Sequence, residues 1–245
     1  MTQEHENKGM GVPAGSENST PVDARARRRD NKLLAACEIL AVLLIFVADW
    51  RHLIPYSKTP FLFALGWVSL RLRGMRWRDI GLARFRNWRT TLLYGVAAGM
   101  GMSILELFVT QPLLVKLTGK QPNLEDFRVF TGNLGLFLIV ILLAWVQAGI
   151  GEEGVYRGYV MNRVADLGNR GRGAWIASLI LVSTLFGFAH TYQGITGVIE
   201  AVVAGLLLGL LYLRCGRNLS IPIIAHSISD TVDFILIFLG KYPGM

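Results

Sequence analysis

Charge is scarce in this chain. Only 17% of its 245 residues are Asp, Glu, Lys or Arg, where soluble domains carry about 25%. Cysteine is scarcer still. Cys37 and Cys215 are too few for a disulfide framework or a Cys-rich metal site, and both read as small apolar residues near the ends of hydrophobic runs. There is no Gly-x-Ser-x-Gly elbow, no His-Glu-xx-His motif and no Gly-x-Gly-Asp signature. These absences exclude the usual serine, zincin and aspartyl arrangements. Histidine occurs at only four positions: His5, His52, His190 and His226.

Apolar residues fill the space that charge leaves. They make up 52% of the chain, and the mean hydropathy is +0.43. They are clustered into long continuous runs, so the solvent for most of the chain is lipid. Backbone polar groups in lipid must be satisfied internally, which leaves helices or a closed barrel. The runs do not alternate, which selects helices. The sequence predicts an all-α, polytopic transmembrane bundle of seven spans over about 33–50, 56–71, 91–116, 134–165, 173–192, 195–213 and 219–239. The third span contains Pro112, and a break there would give eight. Residues 1–32 form a polar tail too poor in apolar surface to order itself. The membrane-embedded domain is then 33–245.

Net charge is +8 and the pI about 9.8. The basic residues flank apolar segments rather than forming a stripe in a soluble domain, so nucleic-acid binding is excluded. With a cytoplasmic N-terminus, the inner segments 1–32, 71–90, 157–172 and 214–217 hold 19 of the 25 Lys and Arg. The positive-inside rule therefore predicts a cytoplasmic tail and an outer C-terminus, in the plasma (inner) membrane of a cell. Residues 75–90 mix Arg with Trp, Ile, Leu and Phe and read as an interfacial helix on the inner leaflet. Gly95-xxx-Gly99, Gly154-xxx-Gly158 and Gly205-xxx-Gly209 mark close helix approaches.

Ionisable groups inside a membrane are costly, so each needs a reason. The fourth span carries Glu152-Glu153-xxx-Arg157. Glu153 and Arg157 are spaced i,i+4 with the acid first, the favourable order for a helical ion pair. Glu152 points about 100° away from that partner, which suits a general base. A purely structural network is the commoner explanation for such a cluster standing alone. The fifth span carries Phe186 and His190 on one face, where the ring can fix the imidazole and exclude water. The seventh carries His226, Asp230 and Asp233 in line, facing the bundle interior. Counting rise per residue from the inner helix ends puts Glu152, His190 and His226 at roughly 21, 26 and 12 Å. They can meet in one cavity, with His190 a little deep. Two imidazoles and a Glu pair can activate water, either directly or through a metal whose bound water is acidic.

Glu152-Glu153-xxx-Arg157, Phe186-xxx-His190 and His226-xxx-Asp230 resemble the three signature motifs of the CPBP family of intramembrane peptidases. That family includes the CAAX prenyl endopeptidases and bacterial proteins linked to bacteriocin processing or self-immunity. The resemblance covers about residues 134–240. It implies Glu152 as general base with His190, together holding the attacking water. It implies His226 and the residue at 230 as the oxyanion site, with Glu153 and Arg157 as support, beside Phe186. The family accepts Asn or Asp at 230. An ionised Asp cannot donate to an oxyanion, so Asp230 must be protonated, orient His226 or bind a metal. A divalent ion such as zinc on Glu152, His190 and His226, or no cofactor at all, fits the sequence. The partners expected are the bilayer and a membrane-associated or lipidated peptide. The other readings are a non-catalytic immunity or scaffold protein of the same fold and, less favoured, a proton-coupled transporter using Glu106 and Glu200.

Overall fold

The computed structural model describes residues 31–55, 57–83, 85 and 87–244. The predicted disordered tail, 1–32, lies outside the described residues except for Asn31 and Lys32. Among the described residues the chain is all-helical, with no strand. Seven helical rods follow the seven apolar runs. They are α1 (Lys32–Trp50), α2 (Thr59–Leu72), α3 (Trp88–Thr118), α4 (Leu134–Leu167), α5 (Arg172–Phe188), α6 (Gly194–Arg214) and α7 (Ser220–Phe238).

Three rods start on the same device. The side chains of Asn31, Asn87 and Asn133 accept backbone N–H groups of Leu34, Thr90 and Leu136, satisfying donors that open a helix. Five segments are long and apolar enough to cross a membrane: α1, α3, α4, Thr191–Arg214 (α6 with the turn before it) and α7. At 14 and 17 residues, α2 and α5 are shorter apolar helices. The chain is therefore an integral membrane protein with five clear crossing candidates. Large apolar side chains stand exposed on the outside, among them Leu40, Leu44, Leu138 and Leu142. Such a surface suits lipid and not water.

The third run is not broken at Pro112. It continues as one rod through a π turn at Glu106–Thr110, immediately ahead of the proline. A π turn is a common way to absorb an interruption in the helical ladder. The fourth rod departs further from expectation. Ala144–Val160 is π-helical, between α-helical Leu134–Leu143 and Met161–Leu167. Its N-terminal part, Leu134–Leu143, buries no residue, whereas every residue from 153 to 160 is buried. One end of this rod faces lipid and the other is the centre of the bundle.

The predicted interfacial helix over 75–90 does not form. The chain makes only a short 3-10 turn, Trp77–Ile80, whose Asp79 carboxylate accepts the Arg76 N–H at 2.8 Å. Gly81 then takes a left-handed conformation, φ 111°, and stops the turn. The composition was interfacial, but Ile80 is fully buried and Trp77 stacks on Phe63 at 4.3 Å, so the first part of the segment packs on the bundle, while Phe85 and Trp88 stand exposed.

Tight helix approaches follow the small residues. Side chains at Gly95 or Gly99 of α3 would run into Ile224, Ala225 and Ile228 of α7. A Cβ on Gly149 of α4 would collide with Ser227 Oγ of α7. A buried polar network closes the end where α1, α2 and α4 meet. Glu38 accepts from Ser69 at 2.7 Å and from Arg73 at 3.0 and 2.9 Å, and Arg163 pairs with Asp166 at 3.2 Å.

Removing one partner of a buried ion pair leaves an uncompensated charge, which typically costs about 3–5 kcal/mol. Arg73→Met should therefore destabilise the protein by about that amount in thermal or denaturant unfolding in detergent. Glu38→Met with Arg73→Met should recover a large part of the loss. Equal stability of Arg73→Met and wild type would contradict the assignment.

Candidate active site

The π stretch of α4 delivers three charged side chains to the bundle interior: Glu152, Glu153 and Arg157. Glu153 has no exposed surface. Its Oε1 accepts from Arg157 Nη1 at 2.6 Å and from His226 Nδ1 on α7 at 2.8 Å. The i,i+4 pair expected from spacing is present. The second partner, 73 positions away, was not foreseeable from spacing.

Arg157 holds neighbouring elements in turn. Its Nη2 donates to the Gly205 carbonyl of α6 at 3.2 Å, and its guanidinium lies 4.6 Å over the Phe186 ring. Phe186, at the end of α5, touches both imidazoles, with ring centroids 4.7 Å from His190 and 5.9 Å from His226. The sequence placed this ring against His190 alone; it packs against both imidazoles.

His190 is not inside the fifth helix, where the sequence placed it. The helix ends at Phe188, and His190 opens the 3-10 turn Thr191–Gln193. Its backbone N–H bonds to Gly187, tightening the last turn, and its ring Nδ1 lies 2.8 Å from the Phe186 carbonyl. A carbonyl can only accept, so Nδ1 carries the hydrogen, and in the neutral imidazole Nε2 keeps the lone pair.

His226 is fixed the same way on its Nδ1 side, by the Glu153 carboxylate. Its Nε2 lies 3.6 Å from Asp230 Oδ1, an ion-pair separation rather than a hydrogen bond. The i,i+4 face expected of His226 and Asp230 is therefore present.

Glu152, His190, His226 and Asp230 line one cavity of about 330 Å³. Gln147, Tyr192 and the acids Glu106, Glu200 and Asp233 line it as well. Glu106 and Glu200, kept apart as carriers in the transporter reading, thus share the cavity with the motif residues. Tyr242, beyond α7, donates its hydroxyl to Glu106 at 3.1 Å. The candidate metal ligands Glu152, His190 and His226 share the cavity, but among the described residues no group of three His, Cys, Asp or Glu side chains is arranged to hold a metal ion.

Two features of the site were not read from the sequence. Lys58 pairs with Asp49 at 2.7 Å and donates to the Ala189 carbonyl at 3.3 Å, bracing the turn next to His190. The connection between α3 and α4 brings Pro122, Leu124 and Phe127 to the cavity. It is pinned there by Asn123 N–H to the Gln193 carbonyl at 2.8 Å and by Phe127 against Phe234 at 5.6 Å. Its advance signal is the Phe and Leu content of the connection.

Residues 134–232 match the family model described as type II CAAX prenyl endopeptidase Rce1-like. No curated protein and no solved structure matches the chain. The matched segment contains all three polar motifs, and the match supports the likeness of this stretch to the CPBP family of intramembrane peptidases.

Because Phe186 contacts Arg157, His190 and His226 together, Phe186→Ala should cost about 3–5 kcal/mol of stability, the range for deleting a buried Phe. Phe186→Leu should cost clearly less. Unfolding in detergent, followed for both variants, checks the ranking.

Proposed function

We propose that the protein is an intramembrane endopeptidase that hydrolyses a peptide bond of a membrane-associated or lipidated substrate with water activated by Glu152 and His190. The observation that carries this reading is that Glu152, His190, His226 and Asp230, from α4, the turn after α5, and α7, line one cavity. The family match supports the peptidase class.

The chemistry follows from the hydrogen bonds. Glu152 has no partner comparable to those that occupy Glu153, so it is the carboxylate available to take a proton from water. His190 presents an unprotonated Nε2 and can hold or share that proton. Water oxygen adds to the scissile carbonyl carbon, the proton passes to the Glu152/His190 pair, and the pair returns it to the departing amine as the C–N bond breaks. His226 serves the oxyanion through Nε2–H. That requires a proton on both ring nitrogens, and Glu153 on one side with Asp230 on the other supplies the countercharge. This gives Asp230 a role that does not require it to donate. Glu153, Arg157 and Phe186 position His226.

The same reading takes the cavity as lying on the outer side and the N-terminus as cytoplasmic, from the distribution of Lys and Arg. A proton-coupled transporter has one observation in its favour: Glu106, Glu200 and Asp233 share the cavity.

The test is cleavage of membrane-anchored and lipidated peptides by the purified protein. Glu152→Gln and His190→Ala should each lower turnover by about 10²–10⁴-fold, the usual contribution of general acid–base catalysis, with little change in melting temperature. Comparing membrane proteomes of cells carrying wild type and Glu152→Gln would reveal the substrate. Full biological activity in both variants would favour the immunity or scaffold reading. Proton-driven flux in liposomes without proteolysis would favour the transporter.

A further inference from the structure

A second pocket, of about 370 Å³, lies apart from the cavity. Three connections build it: the segment after α2, the turn after α4 and the turn after α6. Their mutual fit is specific. Leu219 N–H donates to the Gly81 carbonyl at 2.9 Å, and the Tyr212 hydroxyl donates to the Ile80 carbonyl at 3.0 Å. Gly81 sits at φ 111°, and a Cβ there would collide with the Arg217 carbonyl oxygen. Only glycine lets these connections close together.

The lining gathers positive charge. Arg78, Arg170 and Arg217 face it, against the single carboxylate of Asp79. Arg170 and Arg217 extend from left-handed backbone, φ 55° and 64°, which is uncommon for residues other than glycine. Both guanidinium groups lie on the ring of Trp175, at 5.0 and 5.2 Å. Arg170 is paired with Asp166 at 2.7 Å. Arg217 has no carboxylate within ion-pair distance among the described residues, and Arg78 approaches Asp79 only at 3.9 Å. Asp166 offsets one of the two charges on the indole, which leaves Arg217, with Arg78 in the same lining, to be balanced by an added anion. Buried Asn162 and Tyr212 complete the lining with neutral polar groups.

The pocket lies where several apolar helices end, and a bilayer crossed by those helices would place its headgroups near this level. A guanidinium presents N–H donors in a planar fork that matches phosphate oxygens. Basic pockets between helix ends are a recurrent way of holding phospholipid headgroups. We infer that this pocket binds a phosphate-bearing anion, presented by an anionic phospholipid headgroup or free in solution, through Arg78, Arg170 and Arg217. The inference is independent of the peptidase reading, because no residue is shared with the cavity.

The full-length protein in neutral detergent is titrated with phosphatidylglycerol, phosphatidylcholine or inorganic phosphate, and the rise in unfolding temperature is followed. Phosphatidylglycerol should stabilise it and phosphatidylcholine should not. In Arg78→Gln with Arg217→Asn the apparent affinity should fall about thirtyfold, and in Arg78→Gln alone about fivefold, from the usual contribution of each basic residue at an anionic surface. Asn at 217 keeps tolerance of the left-handed backbone, and Arg78 is exposed, so that variant is expected to fold even if the double one does not. Arg128→Gln, on another connection, should leave the affinity unchanged. Stabilisation by inorganic phosphate that is lost in Arg78→Gln, without any effect of phosphatidylglycerol, would also support the pocket and identify the source as soluble phosphate. Equal titrations of wild type and Arg78→Gln, or no ligand distinguishing itself from phosphatidylcholine, would overturn the inference.

Discussion

A carboxylate with no exposed surface holds the centre of this bundle together. Taking an ion out of water costs several kcal/mol, and a buried pair persists only where geometry and further hydrogen bonds compensate. Glu153 is compensated on one oxygen, Oε1, by Arg157 from its own helix and His226 from α7, while its buried Oε2 has no hydrogen-bond partner. Arg157 reaches on to the α6 backbone and the Phe186 ring of α5. One charge thereby fixes the relative placement of α4, α5, α6 and α7, the helices of the family-matched segment. The outer helices can pack against lipid with little specificity. These four cannot shift without separating buried charges.

Much of this was readable because it is local. The apolar runs located the seven rods. Glu153 with Arg157, and His226 with Asp230, followed from the period of a helix. What was missed depends on tertiary placement. His226 bonds to Glu153 across two different helices. The Glu38–Arg73 pair joins α1 to α2 in the same way. His190 was assigned to a helix because the run around it is apolar. The helix instead ends two residues earlier, and the imidazole takes over the Phe186 carbonyl. The Arg- and Trp-rich stretch after α2 has the composition of an interfacial helix, yet Asp79 and Gly81 turn it inward, and burial of Ile80 decides the outcome.

The π stretch of α4 was invisible for another reason: no residue type marks it. π geometry replaces i→i+4 bonding by i→i+5 and occurs mostly as short bulges at functional sites. Here it covers Ala144–Val160, the segment that carries the acids and Arg157. The changed twist alters the direction of successive side chains, so a 3.6-residue wheel cannot say how Glu152 and Glu153 divide between cavity and ion pair. Four glycines in the stretch leave its surface bare, and at Gly149 this lets α7 approach until a Cβ would strike Ser227. Asn162 bonds the carbonyls of Arg157 and Gly158 at 3.4 and 2.7 Å where the rod returns to α geometry, so these acceptors are not left unpaired.

The distribution of charge gives the bundle a polarity that a hydropathy profile does not display. The cavity is lined by Glu106, Glu152, Glu200, Asp230 and Asp233 and by no Lys or Arg. The pocket formed by the connections after α2, α4 and α6 gathers Arg78, Arg170 and Arg217. Rod α4 joins the two, contributing Glu152 to the cavity and Asn162 to the pocket. The same rod faces lipid with Leu138, Ile139 and Leu142. An acidic chamber within a lipid-facing shell requires that its polar groups be held from behind, because the surrounding apolar side chains and lipid cannot satisfy them. Glu153, Arg157 and Phe186 provide that backing on one side of the chamber, and Lys58 with Asp49 braces the turn beside His190. The glycines and ion pairs that look structural are thus what permits a polar chamber inside an otherwise apolar molecule.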